Sequence, residues 1–339
     1  MPVSGEFGMG EYARSLAIAQ AASRRWPQAE VHFVLSRTAP YAATVPFAAT
    51  LLDSSPTFHN AAVAALIRQI KPNIVVFDNA GRTAQLRAAR RHAARVVFIS
   101  ARARQRRKAF RWRWMRLLDE HWIAYPEFAA GDLTWTERFK LKRLGRPTLR
   151  YLDVILARTP IEQESMLARA ALKQGGFVLV VPGGGTGHPG AKDAAGQFLA
   201  AANQLAEAET VVYVGPSGSA SARLRSFNSL PQADLAELMR GARLIVTNGG
   251  STLLQAIACG RACIAVPIAK DQPQRIARCV DAGVAVTAEL ASAGIVRAAA
   301  KLLRDEPARA ALAQRASGLK LANGLDVALN ALAHLAETA

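Results

Sequence analysis

The chain has 339 residues, 51% of them apolar, and 43 Lys and Arg against 25 Asp and Glu, a formal net charge of +18. That apolar content excludes a disordered chain and suffices for two domains of ordinary size, while no window approaches the roughly 20 apolar residues of a spanning helix. The charge favours anionic partners, whether a nucleotide diphosphate, a polyanion or an acidic bilayer surface, and decides nothing about fold.

In chain order, the opening Met1-Pro-Val-Ser shows neither the basic nor the apolar region of a signal peptide, so a cytoplasmic protein is expected, soluble or peripheral on the inner membrane face. A βα half begins with a strand of about five or six residues before its glycine turn. Only four residues precede Gly5 here, so the sheet is expected to lack its first strand and the natural start to lie upstream of Met1. The turn Gly5-Glu-Phe-Gly8-Met-Gly10 leads into a helix pattern from Glu11 to Arg25. Strand-like runs at 30–35, 73–77, 95–99 and 122–125 alternate with helix patterns at 60–70 and 83–94.

Between them lies Arg102 to Arg116, RARQRRKAFRWRWMR, with Phe110, Trp112 and Trp114 among the cations. Three readings compete: a patch docking on acidic lipids, a solvated helix whose aromatic side packs on the domain, and, ranked last, a nucleic-acid surface. Composition changes over 151–173, which serves as the hinge between a first domain at 1–150 and a second at 174–339.

In the second half, strand 177–181 runs into Pro182-Gly183-Gly184-Gly185-Thr186-Gly187-His188-Pro-Gly190 and a helix at 193–208. Such a glycine loop suits a diphosphate, and without a Lys-Ser/Thr ending it is not a Walker site. His188 serves equally as a phosphate neutraliser or as a structural residue. After strand 210–214 and helix 233–240, Leu244-Ile-Val-Thr-Asn248-Gly249-Gly250-Ser251-Thr252-Leu-Leu-Gln255 reads as strand, glycine turn and helix, followed by strand 262–267 and Asp271-Gln272-Pro. The glycines let backbone approach a bound group, and a helix starting at Ser251 or Thr252 points amides at an anion. Thr252 to Gln255 and Asp271 to Gln274 also fit capping boxes. The end, 292–339, is Ala- and Leu-rich helix. Cys259, Cys263 and Cys279 have no CxxC spacing and are expected to be free thiols in a reducing compartment.

Two of these motifs carry a resemblance. Gly249-Gly-Ser-Thr-Leu-Leu-Gln255 resembles the Gly-x-Ser-Thr-x-x-Glu helix start of GT-B glycosyltransferases, in particular the peptidoglycan lipid-intermediate N-acetylglucosaminyltransferase and the pseudaminic-acid-pathway nucleotide-sugar hydrolase. Gly8-Met-Gly10-Glu-Tyr-Ala-Arg14 is similar to their Gly-x-Gly-His-x-x-Arg acceptor loop, with Glu11 at the His position. Gln255 replaces the Glu that holds the ribose, and Asn248 replaces a His or Arg near the donor phosphates.

The resemblance implies an α/β fold of GT-B architecture, two Rossmann-like domains facing across a cleft. It implies transfer from a nucleotide-diphosphate sugar, UDP-linked as first guess, bound by the second domain through 183–188, Asn248 to Thr252, Gln255, Asp271 and Gln272. The acceptor, a hydroxyl of a lipid-linked or cell-envelope glycan, would enter from the first domain, with Glu11 or Asp78 removing its proton. No metal and no cofactor beyond the co-substrate are expected, since no DxD-like acidic pair stands in the sequence. Two alternatives stay open: a nucleotide-sugar hydrolase, and a nonenzymatic basic binder of membrane or nucleic acid.

Overall fold

The computed structural model describes residues 1–3, 9–157, 164–183, 193–216, 218 and 221–337. The chain forms two compact units, Met1–Ile155 with Ala322–Ala339, and Leu156–Leu321.

The first unit runs through α1 (Met9–Arg25), β1 (His32–Ser36), β2 (Ala48–Leu52), α2 (Asn60–Ile70), β3 (Ile74–Asp78), α3 (Thr83–Arg91) and β4 (Arg95–Ser100). It continues with α4 (Ala103–Ala109), α5 (Trp112–Met115), β5 (Glu120–Ile123), α6 (Glu127–Ala130), α7 (Trp135–Leu144) and β6 (Thr148–Tyr151). All named pairings are parallel, β1 with β2 and β3-β4-β5-β6 in order.

The first residues join these two pieces. Pro2 bridges Val34 and Val3 bridges Asp78, both in parallel. Val34 N donates to Met1 O and Val3 N to Val34 O, each at 3.1 Å, and Asp78 N donates to Pro2 O at 3.0 Å. No full strand stands in the first position among the described residues; two single-residue bridges, at Pro2 and Val3, lie there between β1 and β3. The slot continues beneath Met1 as a cavity of about 790 Å³ lined by His32, Ile67, Ile74, Val76 and Leu332.

The central strands are largely apolar because both faces are covered, as alternation of side chains across a strand requires. Val75, Phe77, Val96 and Phe98 pack with Val63 and Leu86 from α2 and α3, whereas Val76, Val97, Ile99 and Trp122 form a separate cluster on Ile18 of α1.

The second unit comprises α8 (Met166–Arg169), β7 (Val178–Val181), α9 (Ala194–Leu205), β8 (Val211–Val214), β9 (Leu224–Phe227), α10 (Gln232–Gly241) and β10 (Leu244–Asn248). There follow α11 (Ser251–Ala258), β11 (Cys263–Val266), α12 (Gln272–Asp281), β12 (Val286–Thr287), α13 (Ser292–Arg304) and α14 (Glu306–Gly318). Its parallel sheet has the order β12-β11-β10-β7-β8-β9.

The last helix, α15 (Gly324–Glu337), belongs to the first unit. Leu325, Ala328, Ala331 and Leu335 are buried in the Ile18, Val76 and Trp122 cluster, and Gly324 N donates to Val154 O at 2.9 Å. The second domain read as 174–339 thus loses its final helix, because that helix's apolar face completes the first unit's core. The first unit also runs past residue 150 to Ile155, since β6 pairs with β5 inside it.

Candidate functional site

In an open parallel sheet, ligands bind at the carboxyl ends of the strands where the strand order reverses. In the second unit that point lies between β7 and β10: the chain leaves β7 toward β8 and β9, then returns to β7's other side as β10. Gly183 follows β7, and Gly249 and Gly250 follow β10.

Asn248 ties these two turns together. It is 3% exposed, its Nδ2 donates to Pro182 O, and its Oδ1 accepts from Gly250 N at 2.6 Å. Read from sequence as a phosphate contact, it is instead the clasp of the two loops. Gly183 has φ +75°, and a Cβ there would fall 2.4 Å from Asn248 Nδ2 and 3.3 Å from Thr252 Oγ1. The glycine brings the β7 loop against the start of α11. Gly184, Gly185, Thr186, Gly187 and His188 lie outside the described residues.

Gly249 has a packing reason as well. A Cβ there would lie 2.6 Å from Ile276 Cδ1 and 2.9 Å from Gln272 Cβ, so α12 sits directly on the turn. The helix α11 opens at Ser251 with Gly250, which has no side chain to cap it, as its cap residue. The capping box expected from Thr252 to Gln255 does not form, because the helix begins two residues earlier, with Gly250 as its cap, and Gln255 Nε2 donates to Gln232 Oε1 at 3.3 Å. The first-turn amides of α11, at Ser251 and Thr252, therefore stand at the switch point behind a glycine cap. That is the geometry of an anion site.

Gln272, expected at the donor, holds the turn in this structure. It is 6% exposed, and its Oε1 accepts from both Gly249 N at 3.2 Å and Ile268 N at 2.8 Å. Asp271 caps nothing through its side chain, so the second capping box also fails; it meets Arg275 Nη2 at 3.1 Å with its side chain 56% exposed. Arg275 in turn donates to Gly249 O at 2.6 Å. Sequence reading missed Arg275, whose only signal was its place four residues after Asp271 on the helix.

The first unit has its own reversal, where Pro2 and Val3 lie between β1 and β3. Asp78 ends β3, is fully buried, and takes Arg14 Nε at 3.0 Å on Oδ2, Arg14 Nη2 on Oδ1, and Ser15 Oγ at 2.9 Å. A carboxylate so enclosed cannot reach an acceptor hydroxyl, so Asp78 is corrected from candidate base to anchor of α1. Arg14, only 8% exposed, is likewise the partner of Asp78 and not a loop residue turned to a ligand. Gly8 lies outside the described residues, and Gly10 is exposed in the first turn of α1.

Glu11 stands one residue further along. Its Oε1 accepts from Asn79 Nδ2 at 3.1 Å and from Arg102 Nη2 at 3.1 Å. Asn79 adopts φ +50° and holds Ala101 N at 2.9 Å through Oδ1, which fixes the amide against Glu11. The turn Asp78-Asn-Ala-Gly81 after a strand was the signal for Asn79, since Asn tolerates the left-handed conformation.

The basic segment is not one helix but α4 and α5, and most of its aromatic residues are core. Phe110 and Trp114 are buried, and Trp114 Nε1 donates to Thr83 Oγ1 at 3.0 Å. Arg106 is spent on Glu137 and on the carbonyls of Gly131 and Asp132. Burial, with Arg82 next in effect, pushes the Lys108 ammonium down to about 8, while it donates to Gly81 O at 2.7 Å.

No protein-family model and no curated protein matches the sequence. Solved structures do match. The glycosyltransferase VinC, in complex with dTDP, superposes with TM-score 0.66 at 15% identity, over 99% of this chain and 98% of VinC. The spinosyn forosaminyltransferase SpnP gives 0.65 at 14%, over 98% and 97%. S. aureus MnaA, in its structure with UDP, gives 0.58 at 15%, over 90% and 88%. The fold is GT-B.

Within this GT-B chain, no group of three or more His, Cys, Asp or Glu side chains among the described residues is placed to hold a metal ion. No described helix is long and apolar enough to cross a membrane. The three cysteines are unbridged, and burial pushes Cys259 up to about 11 and Cys279 to about 12, so neither is a ready thiolate.

Proposed function

We propose that this GT-B protein is a glycosyltransferase that moves a sugar from a nucleoside-diphosphate sugar to a hydroxyl acceptor without a metal. The observation that carries the reading is the β7–β10 switch point, where turns clasped by Asn248 meet the glycine-capped start of α11. As the bond from the anomeric carbon to the diphosphate breaks, negative charge grows on the leaving phosphate, and the helix start supplies amides and a positive dipole end to receive it. Neighbours of this fold solved with dTDP and with UDP support a nucleoside diphosphate, with UDP retained as first choice. Asp271, exposed beside Arg275, is assigned to the donor's hydroxyls. The acceptor proton is assigned to Glu11, whose carboxylate is positioned by Asn79 and Arg102. The acceptor itself is proposed to be a lipid-linked or cell-envelope glycan.

Calorimetric titration of UDP, dTDP, GDP and CMP into the purified chain without magnesium tests this, repeated with the best binder on Ser251→Asp. An Asp in the first turn suits the helix dipole, so the variant should fold while repelling a phosphate. Selective binding lost in the variant supports the donor site. Absence of binding by every nucleotide to the folded protein would remove the reading. Consumption of the matching nucleotide-sugar with no acceptor present would replace transfer by hydrolysis.

A further inference from the structure

The aromatic side chains that reach solvent in the first unit come largely from outside the basic segment. Trp135 is 74% exposed and Phe139 51%, one turn apart on α7, with their rings stacked at 5.9 Å and 17°. Trp112 of α5 is 37% exposed. Lys140 of α7 has its Nζ 6.0 Å from the centre of the Trp112 ring and donates to Phe110 O at 3.2 Å, so α7 lies alongside the turn into α5. Of the six strongly exposed large apolar side chains among the described residues, three thus sit on these two adjoining helices.

The exposed charge around them is basic. Arg111 and Arg113 flank Trp112, and Arg138, Lys142 and Arg143 share α7 with Trp135 and Phe139. The only acid of α7, Glu137, is turned inward onto Arg106 at 2.9 Å, and Asp132 is the nearest exposed acid in sequence. An apolar cluster of this kind left in water is unfavourable unless something covers it.

We propose that the α5/α7 face docks on an anionic phospholipid bilayer, with Trp135, Phe139 and Trp112 at headgroup level and the surrounding Arg and Lys on lipid phosphates. Trp is at home at that level, each cation near an anionic surface adds attraction, and apolar insertion together with charge gives reversible binding. A single nucleic-acid strand would need aromatic faces spaced along a cationic groove. Here Trp135 and Phe139 stack on each other, and Arg106 and Lys108 of the neighbouring segment are tied to protein oxygens.

The test is flotation of the purified full chain with vesicles of phosphatidylcholine alone and of phosphatidylcholine mixed with phosphatidylglycerol. Expected is co-flotation with the anionic vesicles only, weakened at least about tenfold in Trp135→Ser/Phe139→Ser. Lys142→Gln/Arg143→Gln should weaken it chiefly at low salt. Both variants change exposed side chains, and an unaltered denaturant midpoint and nucleotide titration would show the rest of the chain intact. Failure of the folded wild type to float with anionic vesicles overturns the proposal. So does equal flotation of the aromatic variant, or a loss in that variant confined to binding of a single-stranded oligonucleotide.

Discussion

Arg14 grips Asp78 through both carboxylate oxygens, with neither residue more than 8% exposed, and so fastens α1 to the end of β3 beside Glu11. Removing one partner of a buried pair leaves the other charge without compensation, which costs about 3–5 kcal/mol. Asp78→Asn is expected to lower unfolding stability by that order, measured by denaturant titration, and Arg14→Met/Asp78→Leu to recover most of it. A loss below about 1 kcal/mol in the single variant would show that the pair is not what anchors the helix.

Glu11→Gln keeps an oxygen for Asn79 and Arg102 but removes the proton acceptor. With the transfer reaction in hand, turnover should drop by about two to four orders of magnitude while nucleotide affinity stays within about twofold. Turnover close to wild type would take Glu11 out of the chemistry and leave it as a partner of Asn79.

Gly249→Ala is expected to cost about 1–3 kcal/mol, since the added Cβ would sit 2.6 Å from Ile276 Cδ1 and the turn is held by Gln272 and Arg275. Combining it with Ile276→Ala, which vacates the contacting atoms, should give a smaller loss than the two single costs summed. Strict additivity in chemical denaturation would mean that α12 does not press on the turn.

His121 gives the first unit a pH dependence. Burial holds its imidazole down to about 3, with Arg106 adding to the effect, while Nε2 meets Ser100 Oγ at 2.8 Å and the ring packs edge-on to Phe110. The unfolded chain takes up this proton near pH 6.5 and the folded chain does not, so stability is complete above about 6.5 and falls as acid is added toward 3. Its contribution to the slope is about 1.4 kcal/mol per pH unit. His121→Gln should show a shallower decline of stability than wild type across that window, by denaturant midpoints at several pH values. Parallel curves for the two proteins would contradict a neutral buried imidazole.

What the sequence by itself determined is the set of central strands and the order of the motifs. β1, β3, β4, β5, β7, β8, β10 and β11 each follow an apolar run, because a strand covered on both faces must be apolar along its length. The four strands that sequence reading missed, β2, β6, β9 and β12, each stand at the end of a sheet. Each pairs on one side only, and short stretches such as Thr148–Tyr151 or Leu224–Phe227 mix polar and apolar residues, so their local signal is weak. The glycine turn and helix start at 249–252 were legible because a turn and a helix cap are local events.

Only the tertiary structure decided what each polar side chain serves. Asp78 and Gln272 had the right chemistry for a base and a donor contact, yet their partners, Arg14 and the amides of Gly249 and Ile268, come from other elements. Likewise, Trp114 is buried and Trp135 exposed although both stand in basic, aromatic helix sequence, because only α5 meets β4 through Phe98. The return of α15 to the first unit has the same origin: an Ala- and Leu-rich helix buries its face wherever an uncovered sheet surface remains, and no local pattern says which sheet that is.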